Sequence, residues 1–273
     1  MRIFSAPRSS SPSSFFDSRP RTPRISIVIP TRNEARNLEV ILTTLPPVHE
    51  VIIVDGHSVD GTLDTAHRVL PSAITLTQTR RGKGNALSCG FERATGDIIV
   101  MFDADGSADA REIPRFVDSL TAGADFAKGS RFRAGGGSED ITRLRTAGNA
   151  VLSGIANILL RARFTDLCYG YNAFWRDILP ILDLPAAGEP APHLMNWGDG
   201  FEIETLLNCR VARAGIVVEE VPSIELNRIH GVSNLNAVSD GLRVLRTILV
   251  ETRRRYQPPA VIAEVEPGSA LAA

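Results

Sequence analysis

Two carboxylates one residue apart, Asp103 and Asp105, follow the run 97–102, whose apolar residues read as a buried strand. The pair therefore falls on the loop at a strand's carboxyl end, the edge where open α/β sheets bind ligands. Hard divalent cations such as Mg²⁺ or Mn²⁺ take oxygen ligands and keep substrate phosphates in their shell. The Asp103-Ala104-Asp105 stretch is thus either a grip for a metal-bridged diphosphate or a solvated acidic turn. Three further segments bear on the choice. Pro30, Thr31 and Glu34 follow the run 25–29; the proline ends the ladder, and Thr31 or Asn33 suits the cap of a following helix. Glu34 reads as part of that cap or as a group facing a ligand. Asp55 ends the run 51–54, where a carboxylate accepts hydrogen bonds from a base or ribose. Asp60 in the same segment reads as a turn and cap residue, and His57 as an exposed loop histidine. Lys83 lies in Gly82-Lys83-Gly84, where glycines let a backbone approach a ligand and a helix start attracts anions.

The elements that must position these groups alternate. Strand-like runs at 25–29, 51–54, 74–77, 97–102 and 125–128 are separated by helical patterns at 34–45, 61–70, 86–94 and 111–121. Such alternation predicts a mostly parallel sheet covered on both faces. The second half is less regular. Helices are expected at 144–160, 201–214 and 238–255, a strand at 216–221, and a flexible loop at Gly135-Gly136-Gly137. The organisation expected is a disordered tail over 1–24, a nucleotide-sugar-binding half over 25–134, an acceptor-binding half of the same domain over 135–256, and a second tail over 257–273.

Composition narrows the function classes. A net charge of −1 and 6% aromatic residues give no basis for nucleic-acid binding. The 3 cysteines are scattered, without a C-x-x-C pair, which fits a reducing, cytoplasmic protein with neither zinc site nor disulfide framework. No apolar run reaches the length of a membrane span. The stretches 144–160 and 238–255, apolar with arginines at their ends, suit peripheral contact with a membrane as well as packing on the sheet. A P-loop is absent, and no G-x-G-x-x-G follows the first strand, which removes the simplest dinucleotide reading.

Taken together, the four segments resemble the family 2 glycosyltransferases, which have the GT-A fold. The matching motifs are Ile27-Val28-Ile29-Pro30-Thr31-x-Asn33-Glu34, Ile53-Val54-Asp55-Gly56-x-Ser58-x-Asp60-Gly61-Thr62, Gly82-Lys83-Gly84-Asn85-Ala86 and Asp103-Ala104-Asp105. Within that family the chain is similar to the polyprenyl-phosphate sugar transferases of the dolichol-phosphate mannose synthase type. The segments carrying this are Gly129-Ser130-Arg131, Thr165-Asp166-x-x-x-Gly170-Tyr171-x-Ala173-Phe174, Gly200-Phe201-Glu202-Ile203-Glu204, Val221-Pro222 and Arg228-x-His230-Gly231-x-Ser233-Asn234-Leu235. Ser107 stands where such enzymes often carry a glutamine.

The resemblance implies an α/β fold of GT-A type, with a Rossmann-like, mostly parallel central sheet and helices on both faces. It implies a metal-dependent, inverting transfer of sugar from a GDP-mannose or UDP-glucose type of donor to a polyprenyl or dolichyl phosphate. Pro30, Thr31, Glu34, Asp55, Lys83, Ala104 and Arg228 are expected at the donor, with Asp103 and Asp105 also holding Mg²⁺ or Mn²⁺. Arg131, with Arg143 or Arg145, is expected to take the acceptor phosphate. An ionised phosphate needs little or no base; a hydroxyl acceptor would need one, and Asp166 or Glu202 are the candidates. The alternatives are a family 2 enzyme with a soluble or natural-product acceptor, and a non-catalytic nucleotide-sugar-binding protein. A sugar nucleotidyltransferase would need a glycine-rich loop where this chain has Pro30-Thr31-Arg32-Asn33.

Overall fold

The computed structural model describes residues 19–231 and 237–254. Its centre is a seven-stranded sheet in the order β3-β2-β1-β4-β7-β5-β8. The strands are β1 (Ile25–Thr31), β2 (Glu50–Asp55), β3 (Ile74–Thr77), β4 (Ile98–Met101), β5 (Phe126–Ser130), β7 (Asn172–Trp175) and β8 (Val218–Pro222). A small parallel pair, β6 (Gly137–Ser138) with β9 (Ile224–Glu225), lies outside it. The helices are α1 (Ala35–Thr44), α2 (Thr62–Val69), α3 (Lys83–Arg93), α4 (Ile113–Thr121), α5 (Arg143–Leu160), α6 (Leu179–Leu182), α7 (Ile203–Ala214) and α8 (Ala237–Arg253).

Side-chain alternation along the strands explains the two-faced cover. Ile27 and Ile29 of β1, with Val51 and Ile53 of β2, pack against Leu38, Ile41 and Leu42 of α1 and Phe116 and Leu120 of α4. Val28, Ile52 and Val54, one residue out of phase, meet Ala86 and Leu87 of α3 and Leu206 and Leu207 of α7. A period of two thus sorts one strand's side chains between two cores. Each fully buried branched residue contributes about 1.5–3 kcal/mol, so both faces must be covered for the sheet to persist.

The pairings of β1 with β2 and β4, of β2 with β3, and of β5 with β8 are parallel. β7 runs antiparallel to both β4 and β5. The carboxyl ends of β1, β2, β4 and β5 consequently share one edge, and the segment entering β7 arrives at that same edge. The chain order reverses between β1 and β4, which makes a crevice at their carboxyl ends.

Two sequence expectations need correction. Residues 19–24 are part of the fold rather than of a tail: Arg19 pairs with Asp125 at 2.7 Å and Asp177 at 2.8 Å, and lies over the Trp175 ring. The strand β7 was not anticipated. The rest of the predicted tails, residues 1–18 and 257–273, lies outside the described residues, as do residues 255–256 and Ser233, Asn234 and Leu235 of the Arg228 segment.

Candidate active site

The turn after β1 and the turn after β2 brace each other. Asn33 takes a left-handed backbone with φ 57°. Its main-chain N–H donates to the Ser58 hydroxyl at 2.8 Å, and its side chain accepts from Val59 N–H at 2.9 Å. The free N–H groups at the start of α1 are met from the turn after β2. Glu34 N–H donates to Thr62 Oγ1 and Ala35 N–H to Asp60 Oδ2, each at 3.0 Å. Asp60 and Thr62 therefore cap α1, where sequence reasoning had Thr31 or Asn33. Releasing Glu34 from capping leaves its carboxylate for the crevice.

Asp55 is buried at the end of β2. Its Oδ2 accepts from Ser58 N–H at 3.0 Å, whereas Oδ1 is buried without a partner. Leaving a buried carboxylate oxygen unpaired is costly, and such an orphan marks a place where a donor group belongs. Thr31 pairs with Asp55 across β1 and β2, with Pro30 one step inward and half-buried.

The Asp103 and Asp105 carboxylates each meet a cation from a different part of the chain. Lys83 Nζ lies 2.7 Å from Asp103 Oδ1 and 2.7 Å from Glu204 Oε1. Arg228 lies 2.7 Å from Asp105 Oδ2 and 3.3 Å from Glu34 Oε1. Ser107 gives its N–H and hydroxyl to Asp105 Oδ1, at 2.9 and 2.7 Å, so it orients the carboxylate from behind. Ala104 is buried between the two acids. The Arg228 segment is laced to this loop: Leu226 N–H donates to Ser107 O and Ile229 N–H to Asp105 O.

Four carboxylates (Glu34, Asp103, Asp105, Glu204) thus face two cations (Lys83, Arg228). Burial raises the Glu34 carboxyl above its ordinary range, against the lowering effects of Asn37 and Arg228. Burial likewise raises Asp103, with Asp105 and Glu204 adding to it against Lys83. Burial alone would drive the Lys83 amine neutral, but Asp103 and Glu204 outweigh it and raise its pKa, keeping the cation charged. An excess of desolvated carboxylate with hard oxygen donors fits a divalent cation. Among the described residues no three His, Cys, Asp or Glu side chains gather into a metal cage. Two carboxylates with the remaining positions open is the pattern of an ion that shares its shell with phosphate and water.

The glycines beside Lys83 have a different role from the one read in the sequence. A Cβ on Gly82, with φ 120°, would lie 2.1 Å from the Asp199 carbonyl oxygen, and one on Gly84 would lie 1.9 Å from that of Gly198. The backbone they admit is the chain's own loop before α7, not a ligand's. Arg80 seals that contact through a buried pair with Asp199 at 2.7 Å. Lys83 itself stays at the start of α3, with its amine turned to the acids.

Arg131 and Asp166 come together, but with each other. Asp166 is fully buried, and its oxygens accept from Arg131 Nε at 2.7 Å, Nη2 at 2.9 Å and the main-chain N–H at 3.1 Å. Arg131 Nη1 donates to Glu225 Oε2 at 3.0 Å, so all three guanidinium nitrogens are engaged. Burial acts to raise Asp166, yet the hydrogen bonds and charge of Arg131 hold it below the usual carboxylate range. In this geometry the Asp166 carboxylate braces Arg131. Glu202 Oε1 accepts from Gly198 and Gly200 N–H, at 3.0 and 3.2 Å, within the loop before α7. Arg143 is exposed at the first turn of α5, and Arg145 pairs with Asp140 at 3.4 Å. Arg133, two residues past Arg131, has a buried Nε without a partner. Sequence reasoning missed Glu204, Asn37 and Arg133 as site groups. Glu204 stood in a matched motif, but the sequence could not say which of Glu202 and Glu204 faces Lys83.

Comparison with known proteins places the chain in a family. Residues 26–180 match the family model described as glycosyl transferase family 2. Polyprenol monophosphomannose synthase of Mycolicibacterium smegmatis is 32% identical over 227 residues, covering 79% of this chain and 82% of that protein. Undecaprenyl-phosphate mannosyltransferase of Micrococcus luteus is 33% identical over 224 residues, covering 78% and 88%. Among solved structures, glucosyl-3-phosphoglycerate synthase from Mycobacterium tuberculosis superposes with a TM-score of 0.64 at 23% identity, covering 84% of this chain and 80% of that one. That structure was determined in complex with Mn²⁺, UDP-glucose and phosphoglyceric acid. The fold is of the GT-A type. With its strand-end acids, its sheet topology and these relatives in agreement, the chain belongs to glycosyl transferase family 2 and is a glycosyltransferase.

Proposed function

We propose that this enzyme moves a sugar from a nucleoside-diphosphate donor to a polyprenyl phosphate, with a divalent cation held by Asp103 and Asp105. The observation that carries the reading is the crevice between β1 and β4, where Asp103, Asp105 and Glu34 meet Lys83 and Arg228. The names of the two mannosyltransferase relatives support the acceptor. The Mn²⁺ and UDP-glucose of the solved neighbour support the donor and metal.

In this reading the unpaired Asp55 oxygen accepts from the donor's base or ribose, beside Pro30 and Thr31. Arg228 leaves Glu34 and Asp105 for the diphosphate, where its charge is needed as the bond to the anomeric carbon breaks. Lys83 keeps Asp103 in place. A bound divalent cation supplies neutralisation of the departing diphosphate. The acceptor phosphate is ionised at neutral pH, so attack needs positioning rather than a base, in line with the engagement of Asp166 and Glu202 elsewhere. Because the Arg131 guanidinium is taken, Arg133 and Arg143 are the cations offered to that phosphate, with Arg131 shaping their loop through Asp166 and Glu225.

The test is a transfer assay with GDP-mannose and UDP-glucose, Mg²⁺ or Mn²⁺, and a polyprenyl phosphate. Sugar is expected on the lipid phosphate from one donor, and Asp105→Asn abolishes it. A second reading, transfer to a small soluble phosphate, is favoured by the phosphoglyceric acid of the solved neighbour. Product from phosphoglycerate and none from the lipid would replace the first reading with the second.

A further inference from the structure

The helix α5 is apolar on two sides. Its buried residues are Asn149, Ser153, Ala156 and Leu160, three of them small or polar. Leu152 and Ile155 pack on the core, but other large apolar residues point outward: Leu144 is 66% exposed, Val151 63% and Ile158 79%. These three recur every seven residues, so they form one stripe along the 18-residue helix, widened by the exposed Leu159. A surface helix ordinarily turns a polar face outward, so a continuous exposed apolar stripe marks a contact.

Charge on this helix has one sign. No Asp or Glu occurs between Asp140 and Asp166, while Arg143 and Arg145 stand at one end of α5 and Arg161 and Arg163 just past the other. Arg143, Arg161 and Arg163 are exposed. An apolar stripe between cationic ends complements a surface with an oily interior and anionic headgroups. A second protein surface would offer no reason for excluding acids along the whole segment. The helix α8 packs beside α5 and adds exposed Leu242 and Val250. Its residues Leu242, Arg246 and Leu249, with Trp197, line a cleft of ≈ 750 Å³. Among the described residues no helix is long and apolar enough to cross a membrane. Contact through α5 is therefore contact in the plane of the interface.

We infer that the outward face of α5, with Leu144, Val151 and Ile158 as the apolar stripe and Arg143, Arg161 and Arg163 as its cationic ends, docks on an anionic lipid surface. The inference deepens the reading of a polyprenyl phosphate acceptor and rests on it for its purpose. Leu144 is next to Arg143, so the stripe begins where the acceptor phosphate is proposed to sit and leads away along the helix. A docked α5 places the phosphate end of a lipid at the crevice while its chain stays in the bilayer.

The experiment is vesicle flotation of the whole chain, using phosphatidylcholine alone and phosphatidylcholine with phosphatidylglycerol, neither containing polyprenyl phosphate. The chain is expected to float with the anionic vesicles at low salt and to be released by high salt. Substituting Arg161 and Arg163 together by Gln should lower partition roughly fivefold for each charge removed. The pair Val151→Asp and Ile158→Asp should abolish it with an unchanged melting temperature, since both sites are exposed. Ile158→Ser serves as a milder variant, expected to weaken partition. No flotation at low salt, or flotation equal in wild type and in the Val151→Asp, Ile158→Asp variant, overturns the inference. So does sedimentation velocity showing that the wild type is a dimer which those substitutions dissociate, because the stripe would then be covered by a second copy. Flotation without transfer to polyprenyl phosphate would leave the docking surface standing and remove the acceptor reading; transfer without flotation would do the opposite.

Discussion

Substituting Asp166 by Ala separates a brace from a base. The change removes the carboxylate that takes Arg131 Nε and Nη2 at 2.7 and 2.9 Å, in a pair whose side chains are 5% and 0% exposed. Arg131 is left buried, with Glu225 as its remaining acidic partner. Breaking such a pair by removing one member costs about 3–5 kcal/mol, because the other charge stays buried. In a domain of this size each kcal/mol moves the melting temperature by about 2–4 °C, so a fall of roughly 6–20 °C is expected. Asp166→Asn keeps the shape and should recover part of it. The pH dependence carries a sign. Burial acts to raise the Asp166 carboxyl, but Arg131 holds it below its ordinary value, so the folded state favours the charged form. Its stabilisation is full above the unfolded pKa of about 3.9 and is lost as pH falls through the folded pKa. The gap between wild type and Asp166→Ala should therefore close as the solution is acidified below about pH 4. Thermal melts across pH, with transfer rates measured well below the melt, decide the matter. A melting temperature within about 2 °C of wild type together with abolished transfer would refute the brace, and would return Asp166 to the role of base.

Three further substitutions test neighbouring parts of the account. Gly84→Ala places a Cβ 1.9 Å from the Gly198 carbonyl oxygen and should destabilise by about 1–3 kcal/mol on thermal melting. Gly148→Ala, in α5 with nothing within 4 Å of the added carbon, should instead stabilise by about 0.5–1 kcal/mol. If Arg228 serves the departing diphosphate as proposed, Arg228→Ala should lower kcat about 10²–10³-fold in the transfer assay while leaving the melt nearly unchanged, since its side chain is only partly buried.

The first half of the fold was legible because its signals are local. Runs such as Ile27-Val28-Ile29 and Val51-Ile52-Ile53-Val54 can only be doubly covered strands, and the helices between them keep the order of a parallel sheet. The strand β7 was not legible. Its four residues, Asn172–Trp175, are short and follow an irregular segment, and what makes them a strand is a slot between β4 and β5 supplied from far along the chain. The site divides in the same way. Glu34, Asp55, Asp103 and Asp105 were readable as strand-end acids, since a parallel sheet sends every such end to one edge. Pairing was not readable. Nothing in the spacing shows that Arg131 closes on Asp166, 35 residues away, or that Gly82 and Gly84 make room for Gly198 and Asp199. Motif chemistry says which groups are available, and long-range packing decides which of them are already spent.

The central claim is that Asp103 and Asp105 hold a donor diphosphate through a divalent cation. Calorimetric titration of GDP and UDP, with Mn²⁺ or with a chelator, tests it on the intact chain. One nucleotide should bind with Mn²⁺, and its binding should disappear on chelation and in Asp105→Asn while that variant still melts cooperatively. Nucleotide binding that is equally tight with chelator and in Asp105→Asn would contradict the account.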